Sequence, residues 1–147
     1  MVDIKTILKE LENLPEYNTQ ISLQGVEGQI DPLYGTGQLS DCKHKEPEFI
    51  YPIFSELKYT NKILFDLGMC RSRLMKLKPF HCYSYHKDAS KRMHIPLITN
   101  ERCMFIIDDE VHRYPADGNS YVIDTTKMHT AINASHEDRY HIVGCLY

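Results

Sequence analysis

The chain has 147 residues, of which 42% are hydrophobic and 25% are charged, and both values are ordinary for one soluble globular domain. Its formal net charge of −3 does not favour nucleic-acid binding through bulk electrostatics. No apolar run approaches the roughly 20 residues that span a bilayer, and the N-terminus lacks the pattern of a signal peptide. We therefore expect a soluble, cytoplasmic protein with a single domain, residues 1–147, and with no nucleic-acid or membrane partner.

The N-terminal region predicts two helices joined by an irregular loop. Apolar residues recur at helical spacing over residues 3–14, with Asp3 placed to cap the start and Pro15 to mark the end. Residues 19–45 are rich in glycine, apart from a short strand over 19–23, and we interpret this long connection as a flap or substrate loop. Residues 53–68 show a second helical pattern that Gly68 terminates.

Short strands follow from Arg71 onward. Turn signals such as Asp108-Asp109 separate apolar or alternating segments at residues 74–77, 81–86, 92–98, 103–107, 111–114, 120–123, 131–132 and 140–146. Seven or eight short strands predict an all-β sandwich or barrel. The expected fold class is mainly β with N-terminal helices, in which residues 1–70 pack against one sheet of a core formed by residues 71–147.

The five cysteines do not suggest a disulfide scaffold. They form no CxxC pair, and their number is odd. Cys82, Cys103 and Cys145 lie in apolar, strand-like segments, where a free cysteine behaves as a small buried hydrophobic residue. A reducing compartment fits this usage, and we expect no zinc-binding role for the cysteines.

His86, Asp88 and His129 form a candidate metal site. His86 and Asp88 are spaced by two residues, which places both side chains on one face of a strand end. His129 follows a polar turn much later in the chain and can reach the same point from an adjacent strand. A His-x-Asp triplet alone is weak evidence, since the chain has eight histidines, and we interpret His44, His112 and His136 as surface or ordinary core residues.

Arg92, His94 and Arg139 are candidate anion-binding residues. Arg92 and His94 share one face of the 92–98 segment, and arginine can donate two parallel hydrogen bonds to a carboxylate. The alternative is that both side chains face solvent, and alternation does not decide between the two. Arg139 lies ten residues beyond His129, but it could instead pair at the surface with Glu137 or Asp138, a contact worth little free energy.

Residues 73–145 resemble the aspartyl/asparaginyl β-hydroxylase branch of the 2-oxoglutarate- and Fe(II)-dependent oxygenases. The resemblance rests on RLMKLKP (73–79), YSYHKD (83–88), RMHIPLITN (92–100), PADGNSYVIDTTKMHTAIN (115–133) and EDRYHIVG (137–144). It implies a double-stranded β-helix, or jelly roll, of the cupin type. It further implies Fe(II) bound by His86, Asp88 and His129, and 2-oxoglutarate held by Arg139, with Arg92 and His94 near its metal-binding end.

The implied reaction is hydroxylation of an amino acid or of an Asp-, Asn- or Pro-type side chain, using O2 and converting 2-oxoglutarate to succinate and CO2. Asp88 argues against halogenation, because its carboxylate takes the position that a halide needs. The substrate is a small molecule or a peptide or protein side chain. Three alternatives stay open. Two are a cupin-like metal-binding protein without turnover and a non-redox metalloenzyme, since affinity alone does not select iron. The third is a structural or interaction module with a degenerate site, although the intact candidate ligands argue against it.

Overall fold

The computed structural model describes residues 1–40 and 43–147, and its first element is helix α1, Ile4–Leu11. The Asp3 carboxylate caps it by accepting hydrogen bonds from the Thr6 backbone N–H at 3.2 Å and the Thr6 hydroxyl at 2.6 Å. The start is therefore as predicted. The helix ends three residues before the predicted position, at Leu11, because Pro15 has no N–H to donate to the Leu11 carbonyl and also disfavours helical backbone at Leu14.

Helix α2 spans Lys58–Asp66 and is shorter than the predicted 53–68. Its N-terminal N–H groups are capped from another element: the Glu10 carboxylate accepts hydrogen bonds from the backbone of Tyr59 and Thr60, both at 2.8 Å. Gly68 ends the helix in a left-handed conformation with φ of 65°, and Met69 N–H returns to the Leu64 carbonyl. The prediction for Gly68 is confirmed.

Eleven strands occur in the described residues. They are β1 (Gln20–Ser22), β2 (Gln24–Gly25), β3 (Tyr51–Pro52), β4 (Cys70–Leu77), β5 (His81–Cys82), β6 (Arg92–Ile98), β7 (Cys103–Ile107), β8 (Glu110–His112), β9 (Tyr121–Ile123), β10 (His129–Asn133) and β11 (Arg139–Cys145). The bounds of β6 and β7 match the prediction. The prediction of one continuous strand over residues 81–86 was wrong, since only His81–Cys82 forms a regular ladder.

The strands form a jelly roll, which confirms the predicted fold class. One sheet has the order β1-β4-β11-β6-β9 and the other β5-β10-β7-β8, while β2 and β3 pair separately. The eight strands from β4 to β11 alternate between the two main sheets, apart from the β7-β8 hairpin within one sheet, as in a double-sheet jelly roll. Strand β1 extends the first sheet, so the N-terminal region contributes a strand as well as helices.

The five-stranded sheet has two apolar faces. Its outer face packs against both helices through a cluster that includes Ile7, Leu64, Leu74, Ile95 and Ile142. Its inner face meets the second sheet through a smaller cluster of Leu77, Phe105, Ile107, Ile123 and Ala131. The helices therefore cover the outer face of this sheet. The apolar cluster fills only part of the space between the two sheets, and polar groups line the rest of it.

The cysteine predictions have mixed outcomes. Cys103 and Cys145 are buried as expected, whereas Cys82 is exposed, because β5 is a short edge strand whose side chains face solvent. Cys42 and part of the 19–45 loop lie outside the described residues. In the part of the chain that the structure describes, no helix is long and apolar enough to cross a membrane.

Candidate metal centre and its cavity

His86 and His129 lie directly opposite each other on neighbouring backbone segments. The His86 N–H donates to the His129 carbonyl at 3.0 Å, and the His129 N–H returns a bond to His86 at 2.9 Å. Cys82 pairs with Ile132 on the same two segments, so the His86 side has one extra residue between the two pairs. This bulge turns the His86 side chain to the face that His129 occupies, because opposed residues share a face.

Backbone carbonyl groups orient both imidazole rings. His86 Nδ1 lies 2.6 Å from the Ser84 carbonyl oxygen, and His129 Nδ1 lies 2.9 Å from that of Lys127. A carbonyl only accepts, so each Nδ1 carries the hydrogen and each Nε2 keeps its lone pair. Such a hydrogen bond on the distal ring nitrogen is the arrangement that metal-binding histidines use.

Asp88 completes a set of three ligand atoms. Its backbone N–H donates to the Thr125 carbonyl at 2.8 Å, which holds the segment beside β9. Its Oδ1 lies 3.6 Å from His86 Nε2, and its Oδ2 lies 3.4 Å from His129 Nε2. All three ligand atoms lie within 4.8 Å of one another, and no other such group occurs in residues 1–40 and 43–147. Two imidazoles and one carboxylate suit a divalent metal ion.

Asp88 and His129 each stabilise the charged form of the other side chain. Burial alone would raise the pKa of the Asp88 carboxyl, but the hydrogen bond that a protonated His129 ring donates and the Arg92 charge lower it overall. Burial alone would lower the pKa of His129, but the hydrogen bonds that its protonated ring donates to Asp88 and to the Lys127 carbonyl raise it overall. The Asp88 carboxylate is therefore ionised at neutral pH and available as a ligand.

A cavity of about 460 Å³ lies between the two sheets and contains this site. His86, Asp88 and His129 are part of its wall, and the predicted anion-binding residues Arg92, His94 and Arg139 line it as well. The structure thus brings together all six residues that the sequence singled out. Gly37 and Gln38 from the glycine-rich loop also line the cavity, and the role of this loop as a flap or substrate loop stays a prediction.

Arg139 is buried in this cavity without a charged partner in the described part of the chain. Only 2% of its surface is exposed, and its Nε and Nη1 atoms have no hydrogen-bond partner. Its guanidinium carbon lies 5.5 Å from the centre of the Phe105 ring, and burial lowers its pKa. The alternative of a surface ion pair with Glu137 or Asp138 is excluded by this burial.

Arg92 and His94 are also buried, which excludes the alternative that both face solvent. Arg92 donates to the Ser90 hydroxyl at 2.6 Å, lies 3.1 Å from Glu46 Oε2 and places its Nε 3.5 Å from Asp88 Oδ2. Its guanidinium is therefore largely committed to protein groups. Burial strongly lowers the pKa of His94, whose Nδ1 lies 3.2 Å from that of His141.

Sequence reasoning missed four polar residues around the cavity: Glu46, Arg71, Arg73 and Tyr83. The side chains of Arg71, Arg73 and Tyr83 line it, and Glu46 joins Arg71 to Arg92 just behind the wall. Arg73 shares the inner face of β4 with Met75 and Leu77, so the alternation that singled out Arg92 was available there too. No local pattern in the sequence indicates the position of Glu46.

Three other histidines, His44, His112 and His136, behave as the sequence suggested. His44 lies 3.3 Å from Glu48, His112 lies 3.7 Å from Glu110, and His136 is exposed beside the Phe80 ring. None of the three lines the cavity. They have no part in the candidate site.

The jelly roll and the convergent His, Asp and His side chains define a cupin-type protein with a candidate divalent-metal site. The sequence profile of the aspartyl/asparaginyl β-hydroxylase family matches residues 36–145. The chain therefore belongs to this family. The match begins well before residue 73, where the recognised resemblance began, and so includes Glu46 and part of the glycine-rich loop.

Solved structures with a similar arrangement have low sequence identity. A protein from Photorhabdus luminescens is 19% identical with a TM-score of 0.42, over 49% of this chain and 57% of its own. A Cupin 2 conserved barrel domain protein from Salinispora arenicola is 14% identical with a TM-score of 0.41, over 49% and 58%. A predicted oxalate decarboxylase from Thermotoga maritima is 18% identical with a TM-score of 0.44, over 58% and 74%.

The alignment thus covers less than two thirds of the first two of these proteins. No curated protein sequence matches the chain significantly.

Proposed function

We propose that the protein is an Fe(II)- and 2-oxoglutarate-dependent dioxygenase that hydroxylates an amino acid or an Asp-, Asn- or Pro-type side chain. The observation that carries the proposal is the presence of Arg139, buried and unpaired among the described residues, in the same cavity as His86, Asp88 and His129. A metal site alone would not need this arginine. A co-substrate with one carboxylate at the metal and a second one further along does.

The metal-binding residues suit Fe(II) in an enzyme. Two histidines and one carboxylate occupy one face of such an ion and leave the other face open to ligands. Bound Fe(II) with 2-oxoglutarate and O2 supplies the oxidising chemistry, which yields succinate, CO2 and a hydroxylated carbon. The protein contributes positions and charges. In both His86 and His129, Nδ1–H donates a hydrogen bond to a backbone carbonyl, so Nε2 keeps its lone pair for the metal ion.

We assign different roles to Arg139 and Arg92. We assign Arg139 to the distal carboxylate of 2-oxoglutarate, where a charge-assisted bond replaces the missing partner. We assign Arg92 to holding the metal ligand, because its Nε lies 3.5 Å from Asp88 Oδ2 while Glu46 holds its other side. Binding of 2-oxoglutarate by Arg92 and His94 stays a prediction, and burial favours the neutral form of His94.

Addition of Fe(II) and then 2-oxoglutarate to the metal-free protein without oxygen tests the proposal. We expect a visible absorption band from the keto acid on Fe(II) in the wild type, and no band in Asp88→Ala or His129→Ala. After air is admitted, slow formation of succinate should follow even without the primary substrate. His136→Ala removes an exposed histidine outside the cavity and should keep both signals.

Two results would contradict the proposal. Tight metal binding without 2-oxoglutarate binding would favour a cupin-like metal-binding protein or a non-redox metalloenzyme, since the same ligands accept other divalent ions. Failure to bind either iron or the keto acid would mean that the site has the architecture of the family without its chemistry.

A further inference from the structure

We propose that Arg73 forms a second carboxylate-binding position in the cavity, which holds the primary substrate, and that this substrate is a small molecule with a free carboxylate. The inference rests on the proposed function, because it assigns Arg139 to the co-substrate and Arg73 to the molecule that is hydroxylated. It distinguishes a free amino acid from an internal side chain of a protein.

Arg73 has no anionic partner among the residues that the structure describes. Only 6% of its surface is exposed, and its Nε has no hydrogen-bond partner. Its Nη1 donates to the neutral side-chain oxygen of Gln20 at 3.2 Å. Burial and the nearby Arg71 charge lower the pKa of Arg73 to about 10, so the guanidinium is still charged at neutral pH. A buried charge without a partner is destabilising, which suggests that a ligand supplies the missing anion.

The neighbouring arginines differ from Arg73 in this respect. Arg71 donates to Glu46 at 2.8 Å and to the carbonyls of Gly35 and Gly37. Arg92 lies 3.1 Å from the same Glu46 carboxylate and also contacts Asp88. Both are therefore neutralised or satisfied by the protein itself. Among the residues that the structure describes, the cavity retains two guanidinium groups without such partners, those of Arg73 and Arg139.

Arg73 and Arg139 lie at different positions along the strands of the five-stranded sheet. Arg139 is opposite Leu77, whereas Arg73 is opposite Val143, four residues further along β11. Their Cα atoms are thus separated by about 13 Å along the strand direction. The Tyr83 hydroxyl is buried without a hydrogen-bond partner in the described part of the chain, and the charges of Arg73 and Arg139 both act on it. It can donate a hydrogen bond to a carboxylate bound at either position.

Charge balance favours two separate anions. 2-Oxoglutarate has two carboxylates, and the proposed function assigns one to the metal and one to Arg139. Arg73 then still lacks an anion, and a carboxylate of the primary substrate would supply it. Bidentate hydrogen bonding to arginine would also fix the orientation of the substrate relative to the metal.

Access and size fit a small substrate. Gln20 Oε1 accepts from both Arg73 and the Gly37 N–H, so Arg73 lies beside the glycine-rich loop at the cavity wall. The cavity of about 460 Å³ lies in the lower part of the range for small-molecule sites, about 300–1,000 Å³. With the co-substrate in place, the remaining space suits a molecule of amino-acid size.

Binding to Zn(II)-loaded protein tests the inference, because zinc fills the metal site without redox turnover. Calorimetry would first measure 2-oxoglutarate binding and then, with 2-oxoglutarate saturating, the binding of each proteinogenic L-amino acid and of the carboxamide of any that binds. The variants are Arg73→Gln and Arg139→Gln. Lys76→Gln is the matched control, because it removes the same charge from the outer face of the same strand, over the Tyr17 ring.

We expect Arg73→Gln to weaken binding of the amino acid by about 10- to 100-fold, the loss of a hydrogen bond to a charged group. The wild type should bind the carboxamide more weakly than the amino acid by a similar factor. Affinity for 2-oxoglutarate should change by less than about twofold in Arg73→Gln and fall strongly in Arg139→Gln. Without ligands, Arg73→Gln should melt higher by about 2–4 °C, since it removes a buried unpaired charge.

Three results would overturn the inference: equal binding of acid and carboxamide, no binding of any amino acid, or a loss of 2-oxoglutarate affinity in Arg73→Gln as large as in Arg139→Gln. The proposed function fails separately, if the wild type does not bind 2-oxoglutarate at all. The amino-acid titrations are then performed without it, and their dependence on Arg73 still decides whether this second position exists.

Discussion

His86 and His129 exchange backbone hydrogen bonds of 3.0 and 2.9 Å as a directly opposed pair, although the four strands β6 to β9 separate them in sequence. Their ring centres lie 4.4 Å apart. The two candidate metal ligands are thus held by backbone pairing and do not depend on a metal ion to bring them together. The site should therefore form before the metal binds.

Loss of one ligand should abolish tight metal binding and leave the fold intact. We expect His86→Ala to weaken Zn(II) binding by more than about 100-fold, the upper end of the effect of residues that only support a ligand. His136→Ala is the matched control. Competition with a coloured chelator measures the affinity, and circular dichroism with thermal melting measures the fold. A variant that unfolds without metal would show that the metal organises the site.

Metal affinity should fall as the pH decreases. The hydrogen bond to Asp88 contributes to the raised pKa of His129, so the proton competes with the metal at a higher pH than for an ordinary histidine. Only the neutral imidazole binds a metal, so affinity should drop by about tenfold per pH unit for each imidazole that must lose a proton. Zn(II) titrations at pH 5.5, 6.5 and 7.5 measure this. Constant affinity across that range would contradict the expectation.

Removal of the Arg139 charge should affect the co-substrate and not the metal. We expect Arg139→Gln to weaken 2-oxoglutarate binding by about 10- to 100-fold, the loss of hydrogen bonds between charged groups. Affinity for Zn(II) should stay unchanged, because no contact joins Arg139 to His86, Asp88 or His129 within the described residues. Arg113→Gln, at an exposed arginine, is the control. Unchanged 2-oxoglutarate affinity would remove Arg139 from the proposed role.

The Glu46 carboxylate should stabilise the fold at neutral pH. Burial alone would raise its pKa, but hydrogen bonds from Cys145, Arg71 and Tyr147 and the Arg92 charge lower it to about 2. Glu46→Gln leaves two buried arginines without their shared anion, and we expect it to lower the free energy of unfolding by about 3 kcal/mol at pH 7. Urea unfolding of both proteins measures this.

The same carboxylate predicts a pH dependence of stability. Because the pKa of Glu46 is lower in the folded state, its contribution is complete above its ordinary pKa of 4.5 and decreases as the pH falls towards 2. The difference between wild type and Glu46→Gln should therefore be smaller at pH 3 than at pH 7. Glu27→Gln, at an exposed position, should show no such difference. A difference that is equal at both pH values would contradict the assignment.

Glu10 should stabilise α2 from its position on α1. Its carboxylate accepts hydrogen bonds from the Tyr59 and Thr60 backbones at 2.8 Å and from the Thr60 hydroxyl at 2.7 Å. We expect Glu10→Gln to lower the free energy of unfolding by about 1–2 kcal/mol, as for loss of a helix cap. Glu16→Gln, at an exposed position beyond α1, is the control. Equal urea midpoints for all three proteins would show that the cap is dispensable.

Local features of the fold could be predicted because neighbouring residues determine them. The alternation in residues 92–98 and 103–107 matches β6 and β7, and the Asp3 cap marks the start of α1. Asp108 and Asp109 both have positive φ in a two-residue turn between β7 and β8, as a tight hairpin requires. Each of these signals involves residues only a few positions apart.

Other features depend on contacts between distant segments. The predicted start of α2 was wrong because the cap of this helix comes from Glu10. The strand predicted over residues 81–86 was wrong because a bulge opposite β10 interrupts it. Neither Glu10 nor the bulge leaves a pattern in the local sequence. The same bulge places His86 on the face of His129, so the geometry of the site depends on it.

The sequence by itself determined the types of strand and turn, the fold class and the six candidate residues around the site. The tertiary structure alone decided which face of β4 and β6 encloses a cavity, because alternation describes two faces without saying what covers each. It also decided that Glu46 pairs with both Arg71 and Arg92, whereas Arg73 and Arg139 stay unpaired among the described residues. Charge pairing in a buried site depends on distances across the fold, and those distances arise only when the sheets pack together.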